Sequence, residues 1–219
     1  MNSLNIRHTL KKYTLKYVVL FLICVSGFAP GNAQTKKHVT NPKAKQLNDQ
    51  ALKLYTTAGD KPDSLARINR MFDEAIKIDS YYYEGWSNKL SFQCHFDHFA
   101  EGLKTVKKMM RLFPKADEVD MFYGVLEYKT GHKAEAAAVF NKLLKKYNSL
   151  LENNKDNKNT KGLLFNKGVM LVLADKDAQG KALLRKIYEE EKDPMVKSNI
   201  AFYANSTKEQ IIDDKIPGK

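Results

Sequence analysis

Cys94, His95, Asp97 and His98 fall within five residues, and His132 follows His98 after 34 more. Thiolate, imidazole and carboxylate groups are competent ligands for transition metals, so this cluster is where metal chemistry would sit. A metal-dependent enzyme built on Cys94, His95 and His98 is one reading, and chelation without effect would remove it. The spacing, however, matches no closed zinc pattern, and surface histidines are the plainer account of it. No Gly-rich phosphate loop, Gly-x-Ser-x-Gly elbow, His-Glu-x-x-His or Cys-x-x-Cys pair occurs elsewhere. The expectation is a protein with no catalytic residues, no metal and no cofactor.

Residues 1–33 read as an export signal. Arg7, Lys11, Lys12 and Lys16 precede the apolar run Val18–Phe28, and Gly31-Asn32-Ala33 supplies small residues for cleavage before Gln34. The run is shorter than the ~20 residues of a membrane span, and Pro30 and Gly31 argue against an uncleaved anchor. Cys24 suggests lipidation, but Ile23 is not the small residue expected before a lipidated cysteine. A mature chain starting at Gln34 retains Cys94 alone, so it forms no internal disulfide and relies on packing for stability. Losing four basic residues lowers the net charge from +12 to about +8. The expected location is periplasmic or secreted, with no integral membrane span in the mature chain.

Residues 34–43 lack apolar periodicity and read as a flexible lead-in. Beyond them no run alternates with period two, while Ala, Leu, Lys and Glu dominate, so an all-α chain is expected. Three columns recur along it. Ile68, Phe72 and Ala75 are followed after 34 residues by Gly102, Val106 and Met109, and after 34 more by Ala136, Phe140 and Leu143. After a further 44 stand Gly180, Leu184 and Ile187. Leu90, Gly124 and Gly168 keep the same register. The extra ten residues are supplied by the polar, Asn-rich segment Asn148–Lys161, as a surface insertion would be. Small residues at a helix crossing let two axes approach to ~8–10 Å, and Phe72, Val106, Phe140 and Leu184 would fill the space between hairpins.

The best unit, Asp117–Tyr147, reads as helix, Gly131 turn and helix. With Trp86 opening and Pro114 closing the unit before it, the pattern resembles the tetratricopeptide repeat (TPR), whose period is ~34 residues. The resemblance implies a right-handed α-solenoid of about four hairpins over 44–193 (approximately 44–81, 82–115, 116–148 and 161–193, with an insertion at 149–160), capped by helices and a tail in 194–219. The first hairpin is looser, with an enlarged turn at Ala58–Asp63, and the fourth turns through Asp175-Lys176-Asp177 without glycine. Ser206-Thr207-Lys208-Glu209 reads as a capping box for a last short helix carrying Ile211 and Ile212. His98 and His132 would occupy equivalent turns on the order of 10 Å or more apart, too far to share an ion.

In such arrays the first helices line a concave groove. The resemblance places Tyr55, Ser91, Cys94, His95, Met121, Val125, Tyr128, Phe165, Val169 and Val172 there, polar early and apolar later. Aromatics and Met suit the anchoring of a peptide. A capping helix folded across the last repeats would instead make Phe165 and Val172 core. The Lys/Asn arrangement that clamps a C-terminal carboxylate is not evident. On the second helices, Lys77, Arg111 and Lys145, and likewise Lys108, Lys142 and Lys186, keep the repeat register and could align as basic ridges, or simply form a solvated face. Two functions follow as expectations. One is a non-catalytic scaffold that binds a protein or peptide of the cell envelope in its groove. The other is a binder of anionic glycan or lipid through the ridge. Nucleic acid is not expected, because no aromatics interleave with those cations.

Overall fold

The computed structural model describes residues 38–58, 61–153 and 160–216. The expected export signal at 1–33, the first residues of the lead-in, part of the Ala58–Asp63 turn, the centre of the insertion and the last three residues lie outside that range. The described residues are all-α, with ten helices and no strand. They are α1 (Pro42–Ala58), α2 (Pro62–Ile78), α3 (Tyr83–His95), α4 (Phe99–Leu112), α5 (Asp117–Lys129), α6 (Lys133–Asn153), α7 (Thr160–Leu173), α8 (Asp177–Glu190), α9 (Pro194–Asn205) and α10 (Lys208–Lys215). None is long and apolar enough to cross a membrane. α6 runs to Asn153, so the polar insertion begins as helix. Nothing in Asn148–Asn153 breaks one, since Pro and Gly are absent from it.

The chain divides into two compact units at Phe92/Gln93. In the first, α1 packs on α2, and α3 closes over both. Phe92 meets the rings of Tyr55 and Phe72 at 5.5 and 5.8 Å, and Asn88 donates to Asn48 at 3.0 Å. The end of the lead-in is pinned. Asp79, buried after α2, accepts from the backbone N–H groups of Asn41 and Tyr81 and lies 2.9 Å from His38 Nε2. Burial would raise its pKa, but those partners outweigh it and hold the carboxyl below its usual range.

In the second unit successive helices from α4 to α9 pack each on the next, and α10 packs back on α5 and α7. Three of its turns share one geometry. Asp97, Gly131 and Asp175 have φ of 59°, 91° and 61°. The residue after each returns its N–H to a carbonyl five positions back: His98 to Gln93, His132 to Glu127 and Lys176 to Leu171, at 2.9, 2.8 and 2.8 Å. This is the Schellman ending of a helix. Asp175 therefore performs the turn that glycine performs at 131.

Two crossings in this unit are glycine-dependent. A Cβ on Gly124 would lie 2.7 Å from the Phe140 ring, and one on Gly168 would lie 2.8 Å from Leu184. Gly180 is tighter: a Cβ there would meet the Gly168 carbonyl oxygen at 2.7 Å and the Val172 nitrogen at 2.9 Å. Ala136, Phe140, Val106, Met109 and Leu184 are fully buried. Helix ends are capped locally. Asp193 accepts from the N–H groups of Met195 and Val196, with Pro194 at the first helical position. The final capping box lies one residue later than its sequence suggests, on Thr207 and Gln210. Ser206 instead closes α9, donating its hydroxyl to the Phe202 carbonyl.

Candidate partner-binding face

The residues expected in a groove divide between the two units. In the first, Tyr55 is half-buried on α1 and Ser91 half-buried on α3. In the second, His95 ends α3 and stacks edge-on to Phe96, with ring centroids 4.9 Å apart. Met121, Val125 and Tyr128 share one face of α5, and Phe165, Val169 and Val172 share one face of α7. Met121, Tyr128 and Phe165 are half-buried, whereas Val125, Val169 and Val172 are closed off at 0, 3 and 1 % exposure.

Those exposures matter because α5 and α7 are the two helices on which α10 lies. Ile211 and Ile212 of α10, and Ile216 just past it, are buried. Around this apolar centre runs a polar rim. Glu209 accepts from the Tyr128 hydroxyl at 3.2 Å, and Asp213 accepts from Lys129 Nζ at 2.7 Å. Glu209 and Asp213 stand four apart on one helix face, so they reach consecutive residues of α5. Lys208 Nζ donates to both carboxylate oxygens of Asp175 at 2.9 Å, in the α7–α8 turn. Lys208 and Lys133 lie 5.2 and 5.5 Å from the Tyr128 ring centroid. Burial, then the bond to Glu209, raises the Tyr128 phenol pKa. At the far end Tyr203 of α9 donates to Asp214 at 2.7 Å and contacts Lys215, while its ring meets Phe165 edge-on at 5.3 Å.

The energetics of this seat are close to balanced. Burying three isoleucines contributes about 6 kcal/mol, and the capping box about 1 kcal/mol. The rim pairs join exposed carboxylates to the Lys129 and Lys208 side chains, which are only 11 and 15 % exposed, and add a modest gain. Ordering the backbone of an eight-residue helix costs about 8 kcal/mol. These local terms nearly cancel, so the seating of α10 also draws on the apolar surface it covers on α5 and α7.

The Cys/His cluster has different surroundings. Cys94 is buried, and burial pushes its thiol up to about 12 despite the nearby Lys129 charge. Asp97 occupies the left-handed turn position and His98 is the N-cap of α4. His132 is engaged elsewhere, with Nδ1 2.7 Å from Glu127. Glu127 is buried, and burial raises its pKa, but bonds from Tyr123, Lys107 and His132 together lower it below the ordinary value. Among the described residues no three His, Cys, Asp or Glu side chains gather where they could hold a metal ion.

The sequence reading missed Lys129, Asp175 and the α10 carboxylates as parts of this face. Lys129 keeps the repeat register with His95, and the four-residue spacing of Glu209 and Asp213 was the signal available for the α10 carboxylates. In comparisons with known proteins, no family model, curated protein or solved structure matches this chain.

Proposed function

We propose that the chain is an exported, non-catalytic helical-repeat scaffold, similar to TPR proteins, which binds a protein or peptide of the cell envelope through the inner face of its first helices. One observation carries the reading. Left-handed turns at Asp97, Gly131 and Asp175 recur at separations of 34 and 44 residues, the register of the buried columns. A repeated turn with a repeated small residue at the following crossing supports hairpins of like shape, nested as a right-handed solenoid of about four units. α9 then closes the apolar end of the array. Signal removal before Gln34 would deliver the protein to the periplasm or beyond it.

The half-buried Met121, Tyr128 and Phe165 are the anchors of this face, and Tyr and Met suit that role. Crosslinking in the native envelope, followed by capture on Met121→Ala and Tyr128→Ala chains, tests it. Partners held by the parent should be lost from both variants, and retention of every partner would sink the proposal.

A second reading has its own support. Lys77, Arg111, Lys145, Lys108, Lys142 and Lys186 are all exposed, as a ridge that meets anionic glycan or lipid requires. Binding through such cations falls steeply with salt, whereas binding through the apolar inner face is nearly salt-insensitive. A titration in rising salt separates the two.

A further inference from the structure

The seat that α10 occupies defines what it accepts. Its centre takes adjacent β-branched aliphatics, one side takes two carboxylates spaced four apart on Tyr128 and Lys129, and one end takes a cation on Asp175. Only Ser206 and Thr207 join α10 to α9. One of the groups it engages, Tyr128, is an anchor of the α5 face that the scaffold reading assigns to a partner, and Lys129 follows it in the chain. We propose that this seat is a receptor for an acidic amphipathic helix of a partner protein, patterned like Lys208–Ile216, and that α10 is a resident stand-in which the partner displaces. The inference rests on the scaffold reading and names its ligand. It also assigns Lys129 and Asp175 as specificity residues: Lys129 selects a carboxylate one helical turn after the first, and Asp175 selects a basic residue at the helix start. Lys129 is only 11 % exposed, so an occupant without the facing carboxylate leaves a nearly buried cation unpaired. Matched charges at three points provide selectivity, which matters where occupants exchange.

The test uses the full chain and a fluorescein-labelled peptide of residues 206–216, read by fluorescence anisotropy. In the native chain the tethered α10 competes at an effective concentration of roughly millimolar. In Ile211→Asp/Ile212→Asp the resident loses its anchors, and the peptide is expected to bind at least tenfold more tightly than to the native chain. Equal binding to both chains, or none to a variant whose circular dichroism remains native, overturns the proposal. Lys129→Glu, which leaves those anchors in place, serves should the double variant not fold. It is expected to prefer a peptide carrying Asp213→Lys over the native peptide, and no reversal of preference overturns the assignment. Envelope capture distinguishes the two levels. Tyr128-dependent partners without peptide binding sink this inference alone, whereas peptide binding with no partner captured sinks the scaffold reading.

Discussion

Asp79 in the first unit and Glu127 in the second are both buried carboxylates held below their ordinary range, yet their partners differ in kind. Asp79 accepts two backbone N–H groups and faces His38, so it fixes main chain at the entry to α1. Glu127 is satisfied by side chains alone: Tyr123 on its own helix, Lys107 on α4 and His132 in the following turn. Close approach shows the opposite division. In the first unit the atoms nearest a Cβ on Gly85 are side-chain atoms of Tyr82 and Ile76, whereas at Gly180 in the second they include backbone of Gly168 and Val172. One unit is thus anchored through main chain at its entrance and through yielding side chains in its core. The other has yielding polar bonds and, between α7 and α8, an unyielding helix crossing. Where rigidity sits, and not how much is buried, is what separates them.

The largest break in this comparison is expected at the glycines. Gly180→Ala should destabilise the protein by about 3 kcal/mol, because backbone on two sides must move to admit the methyl group. Gly85→Ala should cost about 1 kcal/mol or less, since the Tyr82 ring can shift. Thermal or urea unfolding measures both, and equal losses would remove the distinction between a backbone and a side-chain crossing.

A smaller difference should separate the carboxylates. Asp79→Ala leaves the backbone N–H groups of Asn41 and Tyr81 without their acceptor and is expected to cost about 2 kcal/mol. Glu127→Ala should cost about 1 kcal/mol, because Lys107 and His132 are half-exposed and turn to water. Denaturant midpoints at neutral pH check the order.

Acid sharpens the same contrast. Both groups have folded pKa values lowered from the ordinary carboxylate range. Their contribution is therefore complete above an unfolded pKa of about 4 and is lost as pH falls through the folded value. Melting temperature should drop between roughly pH 5 and pH 3. Asp79→Asn and Glu127→Gln should each lower stability at neutral pH and flatten that drop. A variant as acid-sensitive as the parent would show that its carboxylate does not carry the dependence.

Much of this organisation could be read from residue order. Helical content follows from composition, and the columns through Phe72, Val106, Phe140 and Leu184 are all buried. Periodicity reports such columns because each is set by neighbours about one hairpin away. The seat of α10 was not legible in that way. Ile211 and Ile212 announce a buried face, but Tyr128 and Lys129, which donate to Glu209 and Asp213, lie 81 and 84 residues away, and no local spacing encodes that return. The lead-in misled for a related reason. His38 and Asn41 show no periodicity, yet Asp79 fixes both. The capping box moved by one because Ser206 had a competing use at the end of the preceding helix.

The smallest effects are expected at the repeated turns, where two substitutions should act with opposite sign. Gly131 has a φ of 91° and open space where a Cβ would point. Gly131→Ala thus carries a conformational penalty with no clash, about 1 kcal/mol. Asp97 holds the equivalent turn at φ 59° with a side chain that prefers other conformations. Asp97→Gly should relieve that strain and stabilise the unit by up to about 1 kcal/mol, less whatever the unfolded chain gains in freedom. If both changes destabilise, the Asp97 side chain stabilises its turn by more than glycine would relieve. If Asp97→Gly stabilises while Gly131→Ala does the reverse, one backbone geometry is being met twice, by a strained residue in one turn and an unstrained one in the next.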